Sequence, residues 1–556
     1  MKKRLFCGVA LVSMLICLMV SATVTSFASS DVVNITLPNF KVTMNGQEVN
    51  NNYSRFPLIV YKEITYFPMT FSDCRYLGIE STWTGNKTGL NVEATGVTAA
   101  YNPYIYPARN GKRYIAKIVS FPIKVNGKTV DNNKEEYPLL LFRDITYFPM
   151  TWKYGVDEFG WEYKFDTKTG LIIKSKNPKL EQIQIPENRL VEPYGSFAGK
   201  KSTSVMAKNE LVYYVDNKGA VMQASLSDMS KAKKIFQLGI WSYGDGKQFD
   251  QHSLYEESGK PMMYFHSGGA VMGSDHRFLL KEDGSVQKIQ GSYYETALIG
   301  DKLYMYWAGP APGPGNLKVI DNNTLEGSER RLGPNDYFYY SLTNINGLPI
   351  YQLIGDELYV RAAKVLPKKE GDNSSYSLDN TAVYKVNTST NEIVRVSKSN
   401  EKVVNAQIAG NWLYYMCSKE EGQQRVYSIY KHSLKDGTEA LVGNFKGDDT
   451  EQDKFAVVGD SVFYVNKGAL YRVGSNESLN PKSEVVFMNI TGDKQEYLAC
   501  TFIETPDSKY RIMVFDKSGK VVFKTSDVGA NIIVEGNTLY FYNITTGTLC
   551  KTTIGD

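Results

Sequence analysis

The sequence predicts a mainly β protein: two small α+β modules followed by a β-propeller of seven or eight blades. Two observations carry that prediction. Residues 64–70 read Ile-Thr-Tyr-Phe-Pro-Met-Thr, and residues 145–151 repeat the same seven letters 81 positions later. Downstream, a turn followed by a strand rich in leucine and tyrosine recurs at a period close to 47 residues. The first pattern marks a duplication, and the second has the period of propeller blades.

The chain opens with Lys2, Lys3 and Arg4, then an apolar run to about Val20, then Ser26-Phe27-Ala28. A basic start, an apolar centre and small residues at the −3 and −1 positions read as a secretory signal peptide over 1–28, cut after Ala28. The apolar run is short for a membrane span, and no second long apolar stretch follows. Cys17 is preceded by bulky Ile16, which disfavours a lipoprotein signal. Removing 1–28 lowers the formal net charge from +4 to +1. No block of like charge remains, so a nucleic-acid partner is not expected. The expected location is extracellular or cell-wall associated, with no integral membrane segment after cleavage.

The duplicated region divides into repeat 1 at 31–96 and repeat 2 at 112–175. Each copy opens on a strand and an Asn-Gly hairpin turn, Asn45-Gly46 and Asn126-Gly127. Asn and Gly both tolerate the positive φ that such a turn requires. An apolar strand around Pro57 or Pro138 follows, then a charged turn (Lys62-Glu63 or Arg143-Asp144), then the repeated heptapeptide. A short helix is expected over Phe71 to Leu77 and over Trp152 to Phe159. Each copy closes on an aromatic strand and a Lys-Thr-Gly-Leu turn, with a one-residue slip between helix and strand. Residues 176–200, punctuated by Pro178, Pro186 and Pro193, read as a linker.

From 201 to 556 the phrase recurs at Leu211, Leu303, Leu358, Leu413, Val462 and Leu539, with weaker copies at Pro261–Phe265 and Glu496–Ala499. Eight units span seven steps over 328 residues. A single blade cannot bury both faces, whereas a ring of blades buries each sheet against its neighbours. A β-sandwich array is the competing architecture.

The hairpin, the Tyr-Phe-Pro-Met-Thr run, the Leu77-Gly78 or Phe159-Gly160 helix end and the closing aromatic strand together resemble the copper amine oxidase N-terminal-like domain. That resemblance covers both copies. It implies stalk-like modules without a copper site, of a kind found in secreted proteins of Gram-positive bacteria. The oxidase itself requires three histidine ligands, two as His-x-His, and a tyrosine in Asn-Tyr-Asp/Glu. The only histidines are His252, His266, His276 and His432, none two apart, and Asn52-Tyr53 is followed by Ser54. Copper amine oxidase activity is therefore rejected on the residues. The propeller phrase resembles secreted bacterial propellers of the domain-of-unknown-function type, which are similar to low-density-lipoprotein-receptor propellers.

No motif announces a reaction. The chain lacks a Gly-x-Ser-x-Gly elbow, a P-loop and a dinucleotide fingerprint. His252, His266 and His276 fall within 25 residues but match no metal-ligand spacing. The Ala308–Gly315 segment reads as a surface loop and Gly447–Asp453 as a solvated acidic turn. The Tyr293-Tyr294 and Tyr337–Tyr340 clusters could stack on sugars but read first as packing. Cys74, Cys417, Cys500 and Cys550 remain after cleavage; Cys500 with Cys550 is the first pairing to test, beside buried free thiols. The reading is a secreted, non-catalytic binding or scaffold protein of the bacterial envelope, partnered by a glycan or a protein. No catalytic residue, cofactor or metal site is assigned. A propeller enzyme acting on polysaccharide (lyase or glycoside hydrolase) and a purely structural spacer are the alternatives.

Overall fold

A computed structural model describes residues 31–99, 101–186, 204–243, 246–249, 251–257, 259–267, 274–289, 294–307, 313–321, 328–345, 348–366, 380–422, 424–447, 454–480, 483–504, 509–525, 529–544 and 546–554. The expected leader at 1–28 lies outside them. The chain is mainly β and divides into two compact units, one of residues up to Ala94 with Thr98–Asn177 and one of Thr95–Val97 with Pro178–Asp556.

In the first unit, copy 1 supplies β1 (Val32–Thr36), β2 (Val42–Met44), β3 (Gln47–Glu48), β4 (Ile59–Tyr61), β5 (Ile64–Pro68), α1 (Phe71–Tyr76), β6 (Ile79–Trp83) and β7 (Leu90–Ala94). Copy 2 supplies the equivalents β8 (Arg113–Ile118), β9 (Ile123–Val125), β10 (Lys128–Val130), β11 (Leu140–Phe142), β12 (Ile145–Pro149), a π-helix at Trp152–Glu158, β13 (Trp161–Asp166) and β14 (Gly170–Ser175). The copies do not fold as two separate modules. Strands β1, β4, β5, β12, β11 and β8 close one barrel shared between them. The closing hairpin β6–β7 pairs with β9 of the other copy, and β13–β14 pairs with β2.

The sharing is symmetric. Phe67 faces its own duplicate Phe148 across β5 and β12, and Asn34 faces its duplicate position Ile115 across β1 and β8. A local twofold axis therefore passes between those pairs. Alternation along the strands turns Tyr66 and Tyr147 into the barrel core with Ile35, Ile59 and Leu140. Phe67 and Phe148 face outward into a second core with Leu77, Val92, Trp161 and Ile173. Each Asn-Gly turn stitches the copies: Asn45 Oδ1 accepts from Ser175 N, and Asn126 Oδ1 accepts from Ala94 N, at 2.8 and 2.9 Å.

The second unit holds eight antiparallel sheets among the described residues, apart from two short hairpins. Their leading strands are Val205–Lys208, Gln251–Glu257, Tyr294–Ile299, Tyr337–Tyr340, Lys402–Ala409, Phe455–Val458, Ser483–Thr491 and Gly529–Glu535. Each of the eight sequence phrases falls on the strand paired with one of these. The first leading strand lies beside those of the second and the last sheet, so the two ends of the array meet. The linker expectation needs correction. Glu181–Gln184, inside 176–200, is a strand paired antiparallel with Thr548–Thr553, and it completes the last sheet. Four residues bracketed by Pro178 and Pro186 gave too short a pattern to distinguish a strand from a connector. Residues 187–200 of that stretch lie outside the described residues.

Candidate functional site

The histidines singled out by sequence do not form a common centre. His252 Nε2 lies 3.0 Å from Ser204 Oγ, and both are buried. His276 Nε2 meets Ser267 Oγ at 2.8 Å, and its ring stacks on Phe265. His266 pairs through its backbone with Gln251 and Asp275. Among the described residues no three histidine, cysteine or acidic side chains converge as a metal site would require. The four cysteines are buried free thiols, so Cys500 and Cys550 do not pair. Burial pushes the Cys417 thiol up to about 12, far from the reactive range. Phe338 and Tyr339 are buried, and Tyr337 packs edge-on against Tyr384, so that cluster is largely consumed by packing. Tyr293, residues 308–312 and residues 448–453 lie outside the described residues.

One polar cluster holds the ends of the array. Lys208 Nζ sits 3.1 Å from Glu256 and 2.9 Å from Glu535, joining the first, second and last sheets. Burial works against the Lys208 charge, but the hydrogen bonds and charges of Glu535 and Glu256 outweigh it and raise its pKa. Asn531 Nδ2 donates to Val205 O and Leu254 O across the same joint. Each of these groups is held by a partner on another sheet, so the cluster reads as a clasp.

A second cluster is open. Between the fourth and fifth sheets lies a cavity of about 520 Å³, lined by Tyr359, Lys385, Arg395, Ser397, Lys398 and His432, among others. That volume is typical of small-molecule sites. Lys385 stands on the third long strand of the fourth sheet (Ala382–Asn387), and Arg395 ends its outer strand (Ile393–Arg395). Ser397 and Lys398 begin the crossing to the next sheet. His432 ends the strand Gln424–Ser433, just before a turn that Gly437 N closes onto Ser433 O. Lys398 and Arg395 have no carboxylate partner among the described residues. Arg395 donates instead to the carbonyls of Ser397 and Ser399, at 3.0 and 2.6 Å, which fixes the guanidinium. Glu439 is taken up by His432 Nδ1 at 3.0 Å and by Lys398 N at 3.2 Å.

Sequence reasoning counted His432 only to exclude copper, and it missed the cationic group entirely. The contributing segments, 385–398 and 432–437, lie about one repeat apart. Aligning the repeats on one another was the one signal able to bring them together.

Neither a protein-family profile nor a curated relative matches this chain. Among solved structures it is similar to the computationally designed Ika8 protein, at 10% identity and TM-score 0.35, covering 63% of this chain and 95% of that one. It is also similar to prolyl oligopeptidase B from Galerina marginata, at 12% identity and TM-score 0.36, covering 55% and 51%. The tricorn protease matches at 9% identity and TM-score 0.25, covering 61% and 46%. The chain thus spans about half the length of the two peptidases. The expectation of a chain that is not an enzyme is withdrawn, since these matches include peptidases. At these TM-scores the likeness transfers no activity.

Proposed function

We propose that this chain is a secreted protein that binds an extracellular partner through its C-terminal unit, the partner being a cell-wall or extracellular glycan. The finer architecture belongs to the same reading. The eight sheets are blades of a closed propeller, akin to the low-density-lipoprotein-receptor type, and the duplicated unit is a stalk-like carrier related to the copper amine oxidase N-terminal-like domain. The meeting of first and last sheets supports closure, and the order of elements kept twice supports the carrier.

One observation carries the binding role: the inter-sheet cavity that gathers Lys385, Arg395, Lys398 and His432 in a chain of nearly balanced charge. Arg395 and Lys398, without carboxylate partners among the described residues, focus potential toward a ligand in this concave site. The test is retention of the secreted chain on a panel of immobilised cell-wall and extracellular polysaccharides. Saturable retention on at least one polymer is expected; passage through every column would overturn the reading.

A further inference from the structure

We propose that the cavity between the fourth and fifth sheets binds a monosaccharide-sized oxyanion, a uronate or a sugar phosphate. The assignment rests on the binding reading above and names its ligand class.

Charge comes first. Lys385, Arg395 and Lys398 line the cavity, and no acidic side chain is among its lining residues. Glu439 accepts from His432 Nδ1 and Lys398 N. Glu357 stands 3.9 Å from Lys385, at the outer limit of an ion pair. A bound oxyanion therefore meets an excess of positive charge. Geometry comes second. The two carbonyl bonds of Arg395 run from Nε and Nη2, so Nη1 stays available to donate to a second oxygen. A fixed guanidinium suits a carboxylate or phosphate better than a mobile point charge does. With Nδ1 held by Glu439, His432 presents Nε2 as its remaining ring atom. Such a second-side anchor fixes the orientation of an imidazole.

The rest of the lining favours a sugar over a bare ion. Ser397, Ser433 and the Gly437 turn supply hydroxyl and peptide groups, while Tyr359, Val396 and Leu434 supply a small apolar wall. A volume of about 520 Å³ exceeds what an inorganic anion fills. A neutral sugar would leave the cations uncompensated, and a nucleic acid would need a basic surface extended beyond one cavity.

Carboxylate and phosphate offer the same oxyanion, so calorimetric titration of the full secreted chain uses glucuronate in one arm and glucose 1-phosphate in another, with glucose as the neutral control. Binding of at least one acid, weakened by added salt, with no binding of glucose, is expected. Lys398→Glu and Lys385→Gln, read separately, should each lower the affinity for that acid, the charge reversal by roughly tenfold or more. Lys164→Glu on the N-terminal unit should leave it unchanged. Lys398 is exposed and without an ion-pair partner among the described residues, so the variant should keep its fold, which circular dichroism checks. Glucose binding as tightly as the acids, acid binding indifferent to Lys398→Glu, or binding of neither acid would each overturn the assignment. Those results alongside intact polymer retention would remove only the ligand class; loss of all retention would remove the parent reading.

Discussion

Asp73 shows how one residue can break the symmetry of a duplicated unit. In copy 1, Thr70 caps α1: its Oγ1 accepts from Asp73 N and donates to the Asp73 carboxylate at 2.6 Å. The duplicate position is Tyr154, and Thr151 makes no such cap bond. The carboxyl is buried, and burial pushes it up to about 6 from 3.8, against a smaller opposing effect of the Thr70 bond. A raised acid pKa means the folded state holds its proton more tightly than the unfolded state. Stability from this group is therefore full below about 3.8, falls as pH rises toward 6, and stays reduced above. Asp73→Asn should stabilise the unit at pH 7 by roughly 2–3 kcal/mol, provided the amide oxygen keeps the Thr70 bond. The gain should vanish near pH 4. Denaturant unfolding at the two pH values checks it; equal gains at both would refute the account.

At the scale of elements, the repeat was legible because it is local. The Asn-Gly turns, the heptapeptide strands and the helix after Thr70 sit where the sequence places them. The slip between copies also has a structural form. Copy 2 carries one more residue between Thr151 and its closing strand, and its helix is a seven-residue π-helix where copy 1 has a six-residue α-helix. An added residue absorbed as a wider turn is the usual origin of π geometry. Illegible in the sequence was which copy each hairpin would join, because pairing between copies satisfies the same periodicity as pairing within one. The glycines of the Lys-Thr-Gly-Leu turns record the answer. Gly89 and Gly170 both hold positive φ, and a Cβ there would lie 1.6 Å from Pro122 O and 2.0 Å from Lys41 O, on the opposite copy. The following amides, Leu90 N and Leu171 N, donate to those same carbonyls. Gly89→Ala and Gly170→Ala should each cost about 2–4 kcal/mol through strain and lost inter-copy pairing. Gly46→Ala, with open space around its Cβ, should cost only the φ penalty. Unfolding midpoints of the three variants give the ranking.

For the whole molecule, the decisive contact joins the two ends of the second unit. The eight phrases were visible as a period, yet a period cannot say whether an array closes, since closure depends on a few residues outside it. Glu181–Gln184 is that addition: Gln182 pairs with Cys550 and Ile183 with Leu549, so the start of the unit completes its last sheet. Lys208 then binds Glu535 of the last sheet from the first. Strand and clasp act at the same joint, so losing either should loosen both ends together. In an antiparallel ladder, successive residues alternate between pairing their N–H with the neighbour and pointing it away. Replacing both Gln182 and Ile183 with proline therefore removes at least one ladder bond whatever the phase, and adds the steric cost of the ring. A destabilisation of about 1–3 kcal/mol is expected. Amide exchange should rise along Thr548–Thr553 and spread to Thr538–Asn543, while Lys402–Ala409, far along the array, keeps its protection. Exchange confined to 181–184, with the last sheet untouched, would mean that the strand decorates the unit instead of closing it.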